Sequence, residues 1–226
     1  MKDMPMQPCK AILFDLDGTL LDTAADLGFA LNLMRLARSL PALSDELTRP
    51  LASHGSHGLL SLGFADTYPS ADEATQLSYK EEFLAFYAEH VCVNTNWFEG
   101  MQETIEALHA KGIATGIVTN KPSRFTMPIV AEFPLLADMQ AIVSGDTLPI
   151  AKPDPAPILL AAEQLQVAPE HCWYVGDAER DIMAGRAAGM KTFLAEWGYI
   201  GQNDRPSAWG ADVHLSKPEH ILNHLP

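Results

Sequence analysis

The chain has 226 residues, 47% of them hydrophobic, which is enough for one medium domain or for a core that carries a small insert. Its 15 basic and 29 acidic residues leave a formal net charge of −14, a balance that repels nucleic-acid backbones and anionic lipid, so neither is an expected partner. The same charge opposes an anionic substrate, so any phosphate site must be made locally positive by a cation, a lysine or backbone N–H groups.

In chain order, Met1 to Lys10 contains no apolar stretch of signal-peptide length, and no later segment approaches a membrane span. Cys9, Cys92 and Cys172 form no CxxC pair and no zinc-like cluster, and read as reduced thiols in a cytoplasmic protein. Ala11-Ile12-Leu13-Phe14 reads as a strand leading into Asp15. From about residue 20 to 92 no convincing strand appears. Thr23 and Asp26 have capping-box spacing ahead of a helix with Leu27, Leu31 and Met34 on one face. Ser53-His54-Gly55-Ser56-His57-Gly58 interrupts two shorter helical segments. Ser70 and Glu73 then repeat the capping device ahead of Leu77, Phe83, Phe86 and Tyr87.

Beyond this stretch, strands and helices alternate. Met101, Ile105 and Leu108 share a helix face before Gly112, a C′ glycine. Ile113 to Val118 is a strand ending in Thr119-Asn120, and Ala141-Ile142-Val143 ends in Ser144-Gly145-Asp146. Pro155 opens a helix with Ile158, Leu159, Ala162 and Leu165 on one face. Trp173-Tyr174-Val175 leads into Gly176-Asp177, followed by Thr192-Phe193-Leu194 and the weaker Val213-His214-Leu215. The expected architecture is α/β: a Rossmann-like parallel sheet core built from 1–19 and 93–226, with a mostly helical cap inserted at 20–92.

Open α/β sheets bind ligands at the carboxyl ends of their strands. Asp15 and Asp17 fall there, two residues apart, and their like charges favour a shared proton or a cation. Gly18-Thr19 gives a tight turn whose N–H groups are candidates to face an anion. A carboxylate at 15 can attack phosphorus, and one at 17 can protonate the leaving oxygen and then deprotonate water. Asp177 offers a hard oxygen ligand for Mg²⁺ beside Asp15, Lys152 a cation, and Thr119 with Asn120 neutral donors.

Phe14-Asp15-Leu16-Asp17-Gly18-Thr19-Leu20 resembles the first signature of the haloacid dehalogenase superfamily phosphatases. Val118-Thr119-Asn120-Lys121, Lys152-Pro153-Asp154-Pro155 and Val175-Gly176-Asp177 through Asp181 resemble the other three, in order. The resemblance implies that Asp15 is nucleophile and metal ligand. It makes Asp17 the acid/base, with its backbone carbonyl on the metal, and Asp177 the third protein ligand. It assigns Thr119 and Lys152 to the phosphoryl group, and Asp181 to orienting the metal cluster from behind. Relatives that cleave carbon–halogen bonds lack an aspartate at the position of Asp17, so its presence points to phosphoryl chemistry. Ala178 and Arg180 depart from the fourth signature, where a hydroxyl residue and an asparagine are frequent.

The helical insert resembles the cap of the phosphoglycolate phosphatase-like branch. Trp97-Phe98-Glu99-Gly100-Met101, Thr119-Asn120-Lys121-Pro122 with Arg124-Phe125, Trp197-Gly198-Tyr199-Ile200 and Trp209-Gly210-Ala211-Asp212 are similar to bacterial N-acetylmuramic acid 6-phosphate phosphatases. Both implied substrates are small phosphate esters carrying a carboxylate, for which Arg49 and His54 are the candidate cap contacts. A monomer or homodimer is expected. A β-phosphoglucomutase-like phosphomutase shares the Asp-x-Asp pair and stays open as an alternative, as does a non-enzymatic phosphate-binding module.

Overall fold

The alternation of apolar residues in the first strand decides how the sheet is covered. In the computed structural model, which describes residues 8–225, β1 (Ala11–Phe14) is buried along its whole length. Ile12 and Phe14 face one apolar cluster, whereas Ala11 and Leu13 face another, the period of two that a strand covered on both sides requires. The reading of Met1 to Lys10 as lacking a signal-type stretch lies mostly outside the described residues. Within them, no helix is long and apolar enough to cross a membrane.

The insert follows β1. It comprises β2 (Leu21–Asp22), α1 (Ala24–Leu36), α2 (Asp45–Thr48), a 3-10 segment (Arg49–His54), α3 (Gly55–Gly63) and α4 (Glu73–Ala88), and β3 (Asn96–Trp97) closes it. The core continues with α5 (Met101–Ala110), β4 (Ala114–Val118), α6 (Ser123–Glu132), α7 (Pro134–Ala137) and β5 (Ala141–Val143). It ends with α8 (Ala156–Gln164), β6 (Cys172–Gly176), α9 (Glu179–Ala187), β7 (Lys191–Ala195), β8 (Val213–Leu215) and a 3-10 segment at Pro218–His224.

The sheet order is β5-β4-β1-β6-β7-β8, all parallel. Residues of α5, α6, α7 and the last 3-10 segment pack on the Ile12/Phe14 face, and those of α8 and α9 on the Ala11/Leu13 face. The α/β expectation holds, and Gly112 adopts the positive φ of 72° expected just beyond the C-cap of α5.

Several local readings are corrected. The insert begins on a two-residue strand, since β2 pairs antiparallel with β3 where the chain leaves and re-enters the core. Neither capping box forms. Thr23 makes no side-chain cap, because its hydroxyl is taken by Asp17. The cap of α4 is Asp72, which accepts from the Thr75 amide at 2.8 Å, two residues past Ser70. The Ser53–Gly58 stretch does separate two helical segments, but at a single residue: the 3-10 segment ends at His54, Gly55 turns at φ 61°, and α3 starts there. Leu77 and Leu159, assigned to buried helix faces, are exposed. The insert packs through its own cluster, with Leu27, Leu31, Leu60, Phe83 and Tyr87 meeting Phe125 and Tyr199 of the core.

Candidate active site

Because β1 lies between β4 and β6, in register with both, the residues after Phe14, Val118 and Gly176 emerge side by side at the carboxyl edge of the sheet. The Asp15 amide still donates to Val175 O and the Thr119 amide to Val143 O, each at 2.9 Å. Both residues are thus fixed by sheet hydrogen bonds. Asp181 arrives from the first turn of α9, where its Oδ2 accepts from the Ala178 amide at 3.1 Å. Carboxylate oxygens of Asp15, Asp177 and Asp181 lie within 4.8 Å of one another, all buried.

Three buried carboxylates need positive charge, and Lys152 supplies part of it. Its ammonium stands 3.0 Å from Asp15 Oδ1 and 2.8 Å from Asp181 Oδ1. It also donates to Val118 O at 2.7 Å and Tyr174 Oη at 2.8 Å. The approach to Asp181 is an ion contact and not a directed hydrogen bond, so Asp181 Oδ1 is left without a donor. Burial opposes charge at Asp15, but Lys152 and Arg180, with the Leu16 amide, hold its carboxyl below the usual range. Asp177 has no such cation in contact. Burial, followed by the charges of Asp181 and Asp15, pushes it up to about 7, against the hydrogen bond from Ser53. An all-oxygen donor set, one orphaned carboxylate oxygen and a carboxyl driven towards protonation together fit a hard divalent cation. The sequence-predicted ligands Asp15 and Asp177 thus come together, and Asp181 joins the same cluster.

The Asp17 side chain points elsewhere. Its Oδ1 accepts from Thr23 Oγ1 at 2.5 Å and from Lys121 Nζ at 2.8 Å, and the same ammonium donates to Tyr87 Oη at 2.9 Å. Burial works against the Lys121 charge, but Asp17 and Tyr87 raise its pKa above the ordinary lysine value.

Asp15 and Asp17 open into a cavity of about 370 Å³. Its floor also includes Thr119, Asn120, Lys121 and Arg180. Its roof comes from the insert, with Leu27, Ser53, His54, His57, Phe83 and Tyr87.

The remaining candidates are placed unevenly. His54 lines the cavity, with Nε2 3.9 Å from Asp204. Arg49 does not: its guanidinium pairs with Asp22 at 2.7 Å, over the rings of Tyr199 and Phe98. The Gly18 and Thr19 amides donate to Leu21 O and Leu16 O, so the turn offers neither to an anion, and the Thr19 hydroxyl faces Asp177 at 3.4 Å. Gly18, at φ 83°, is packed so closely on Asp177 and Tyr199 that any β-carbon would collide with them. Asn120 lines the cavity, but its amide is engaged twice with the Lys152 backbone, at 2.9 and 3.0 Å, which anchors the lysine loop.

Sequence reasoning gave no role to Lys121, Ser53 or Tyr199. Ser53 Oγ donates to Asp177 Oδ2 at 2.6 Å, and the Tyr199 amide to the same oxygen at 2.8 Å. The Tyr199 hydroxyl accepts from the Thr23 and Ala24 amides at 2.6 and 3.0 Å. All three stand within segments noted above, Ser53 in the stretch between two helical segments of the insert, but nothing in the residue type marks any of them for this role.

With this sheet order and this cluster at its carboxyl edge, the chain belongs to the haloacid dehalogenase-like hydrolases, whose family pattern matches residues 12–195. It is 38% identical, over 96% of its length and 94% of the relative's, to N-acetylmuramic acid 6-phosphate phosphatase of Pseudomonas aeruginosa. It is 40% identical to phosphoglycolate phosphatase of Xanthomonas campestris pv. campestris, over 94% of each chain. The crystal structure of a predicted phosphoglycolate phosphatase from Haemophilus somnus matches with a TM-score of 0.83 at 28% identity, covering 96% of this chain and 98% of that one.

Proposed function

We propose that this chain is a Mg²⁺-dependent phosphatase that hydrolyses a sugar-acid phosphate through an aspartyl-phosphate on Asp15. The observation that carries the reading is a buried Asp15, paired with Lys152 within a carboxylate cluster, on the wall of a cavity that also holds Asp17. An Asp15 oxygen attacks phosphorus and the ester P–O bond breaks. Asp17 gives its proton to the departing alcohol oxygen, then takes one from the water that releases phosphate. Asp15, Asp177 and Asp181 would hold Mg²⁺, which offsets the repulsion between the attacking carboxylate and the phosphate dianion. Lys152 keeps Asp15 charged, and Thr119 offers a hydroxyl at the floor.

The cavity's size supports the larger of the two substrates named for relatives. About 370 Å³ with Leu27, Phe83, Tyr87 and Phe125 on its walls falls in the range that takes drug-sized ligands. N-acetylmuramic acid 6-phosphate would use that apolar surface, whereas 2-phosphoglycolate has little to place there. Three unpaired cysteines suit a cytoplasmic setting. A phosphate-release screen over both esters, with and without chelator, tests the proposal. Higher kcat/KM for the sugar acid, lost with chelator, is the expected result. A preference for 2-phosphoglycolate would overturn the substrate, and isomer formation without free phosphate would make the chain a mutase.

A further inference from the structure

The lysine expected to hold the phosphoryl group is turned towards the protein and away from the cavity. Of the three N–H bonds an ammonium carries, Lys152 Nζ gives two to Val118 O and Tyr174 Oη, and the same group is held in ion contact with Asp15 and Asp181. Its side chain is 0% exposed and is not part of the cavity wall. The phosphoryl group brings three charge-bearing oxygens, more than the proposed Mg²⁺ alone need meet, and the cavity wall offers them a side-chain cation.

Arg180 is on that wall beside Asp15 and Thr119. Its Nη1 donates to Ser53 O at 2.7 Å, which fastens one corner of the guanidinium to the insert. Its Nη2 stands 3.7 Å from Asp15 Oδ2, close enough for attraction and too far for a hydrogen bond. Oδ2 is the oxygen of Asp15 left open, since both the Leu16 amide and Lys152 approach Oδ1. Arg180 Nε is buried without a partner. Of its five N–H bonds, the hydrogen bond to Ser53 is the one formed among the described residues.

The geometry points to Arg180 as the catalytic cation that grips the phosphoryl group while Asp15 Oδ2 attacks it. The guanidinium fork matches two phosphoryl oxygens at once, which an ammonium cannot do. The arrangement also places the grip under the insert's control, because the carbonyl of Ser53 fixes where the fork stands. The inference rests on the phosphatase reading, and it competes with a plainer role in which Arg180 only fastens Ser53 and neutralises the carboxylates.

The test compares the wild-type protein with Arg180→Ala and Arg180→Lys in saturating Mg²⁺. Calorimetry measures the Kd of inorganic phosphate, and steady-state kinetics follow one bulky and one small ester. In Arg180→Ala the Kd should rise by about 10-fold or more. Its kcat/KM should fall by about 10²–10³-fold, equally for both esters, and added guanidinium ion should restore part of it. Arg180→Lys keeps the charge without the fork and should bind phosphate more weakly than wild type; it serves alone if the alanine variant does not fold. Phosphate affinity unchanged in either folded variant, or losses that differ between the two esters, would overturn the assignment and leave a fastening role. A wild-type protein that neither binds nor releases phosphate would instead end the phosphatase reading.

Discussion

Asp15 is buried between Lys152 and the Leu16 amide, whereas the carboxylate of Asp17, two residues on, lies between Thr23 and Lys121. The proposed roles can be separated by one substitution at each. Asp15→Asn should abolish turnover and any phosphoenzyme, because an amide oxygen is a poor nucleophile. Asp17→Asn should slow alcohol esters by about 10²–10⁴-fold. With nitrophenyl phosphate, whose leaving group departs unprotonated, it should give a burst near one equivalent per site and then slow turnover. A burst-free trace, or trapped label on a peptide lacking Asp15, refutes the pair's roles. The thiols titrate separately from the site. Burial pushes Cys9 up to about 12 and Cys172 up to about 11, from 9.0. Above pH 9 the folded state therefore keeps protons that the unfolded chain has lost, and the contribution to stability falls as pH rises through that window. Below pH 9 that contribution is fully present and stability does not change with pH on their account, and at pH 8 iodoacetamide should leave both unlabelled in the native protein. Asp15, Asp17 and Asp177 were legible because strand ends in an open sheet converge by topology, whereas Asp181, in the first turn of α9, was singled out by the family resemblance. Ser53 was not legible, since its partner Asp177 lies 124 positions away and is met only where the insert settles, and Lys121 was not, since its ammonium is shared between Asp17 of the core and Tyr87 of the insert.

The start of α1 is held by a carboxylate that looks in sequence like half of a capping box. Asp26, 0% exposed, instead accepts from the Val93 and Asn94 amides, the Asn94 side chain and Thr95 Oγ1 at 2.8–3.1 Å. It ties the beginning of the insert to the segment just before β3, by which the chain returns. Asp26→Ala orphans these donors and should destabilise the fold by about 3 kcal/mol, read as a lower urea midpoint with the m-value unchanged. A loss below about 0.5 kcal/mol would assign these contacts no more than a surface pair's worth. The two capping signals misled for different reasons: partners outside the first turn claim Thr23 and Asp26, whereas Ser70 donates to Thr67 O and leaves the cap of α4 to the better-placed Asp72. Helix faces were read better. Leu27, Leu31 and Met34 are buried as their spacing predicts, while Leu77 and Leu159 sit at the edges of their stripes, where a few degrees of rotation decide exposure.

A molecule with net charge −14 that gathers three of its carboxylates, buried, in one place carries a repulsion that a divalent cation relieves. Titrating Mg²⁺ into chelator-treated protein should raise the thermal midpoint, by the equivalent of about 2.7 kcal/mol at a hundredfold excess over Kd. Asp177→Asn should lose most of that rise. An unchanged midpoint in wild type would show that the cluster does not bind the ion.

Leu21 lies beside Trp97 and Asp22 beside Asn96, so the two ends of the insert meet within one strand spacing. A segment anchored this way can be spliced out, or exchanged for a foreign set of helices, without stretching the chain it interrupts. The roof is then a cassette. A transplanted one would inherit Asp15 and its carboxylate neighbours intact, and would change which ester fits above them. Its requirements are local: an apolar underside to keep Phe125 and Tyr199 dry, and a carbonyl where Ser53 now holds Arg180.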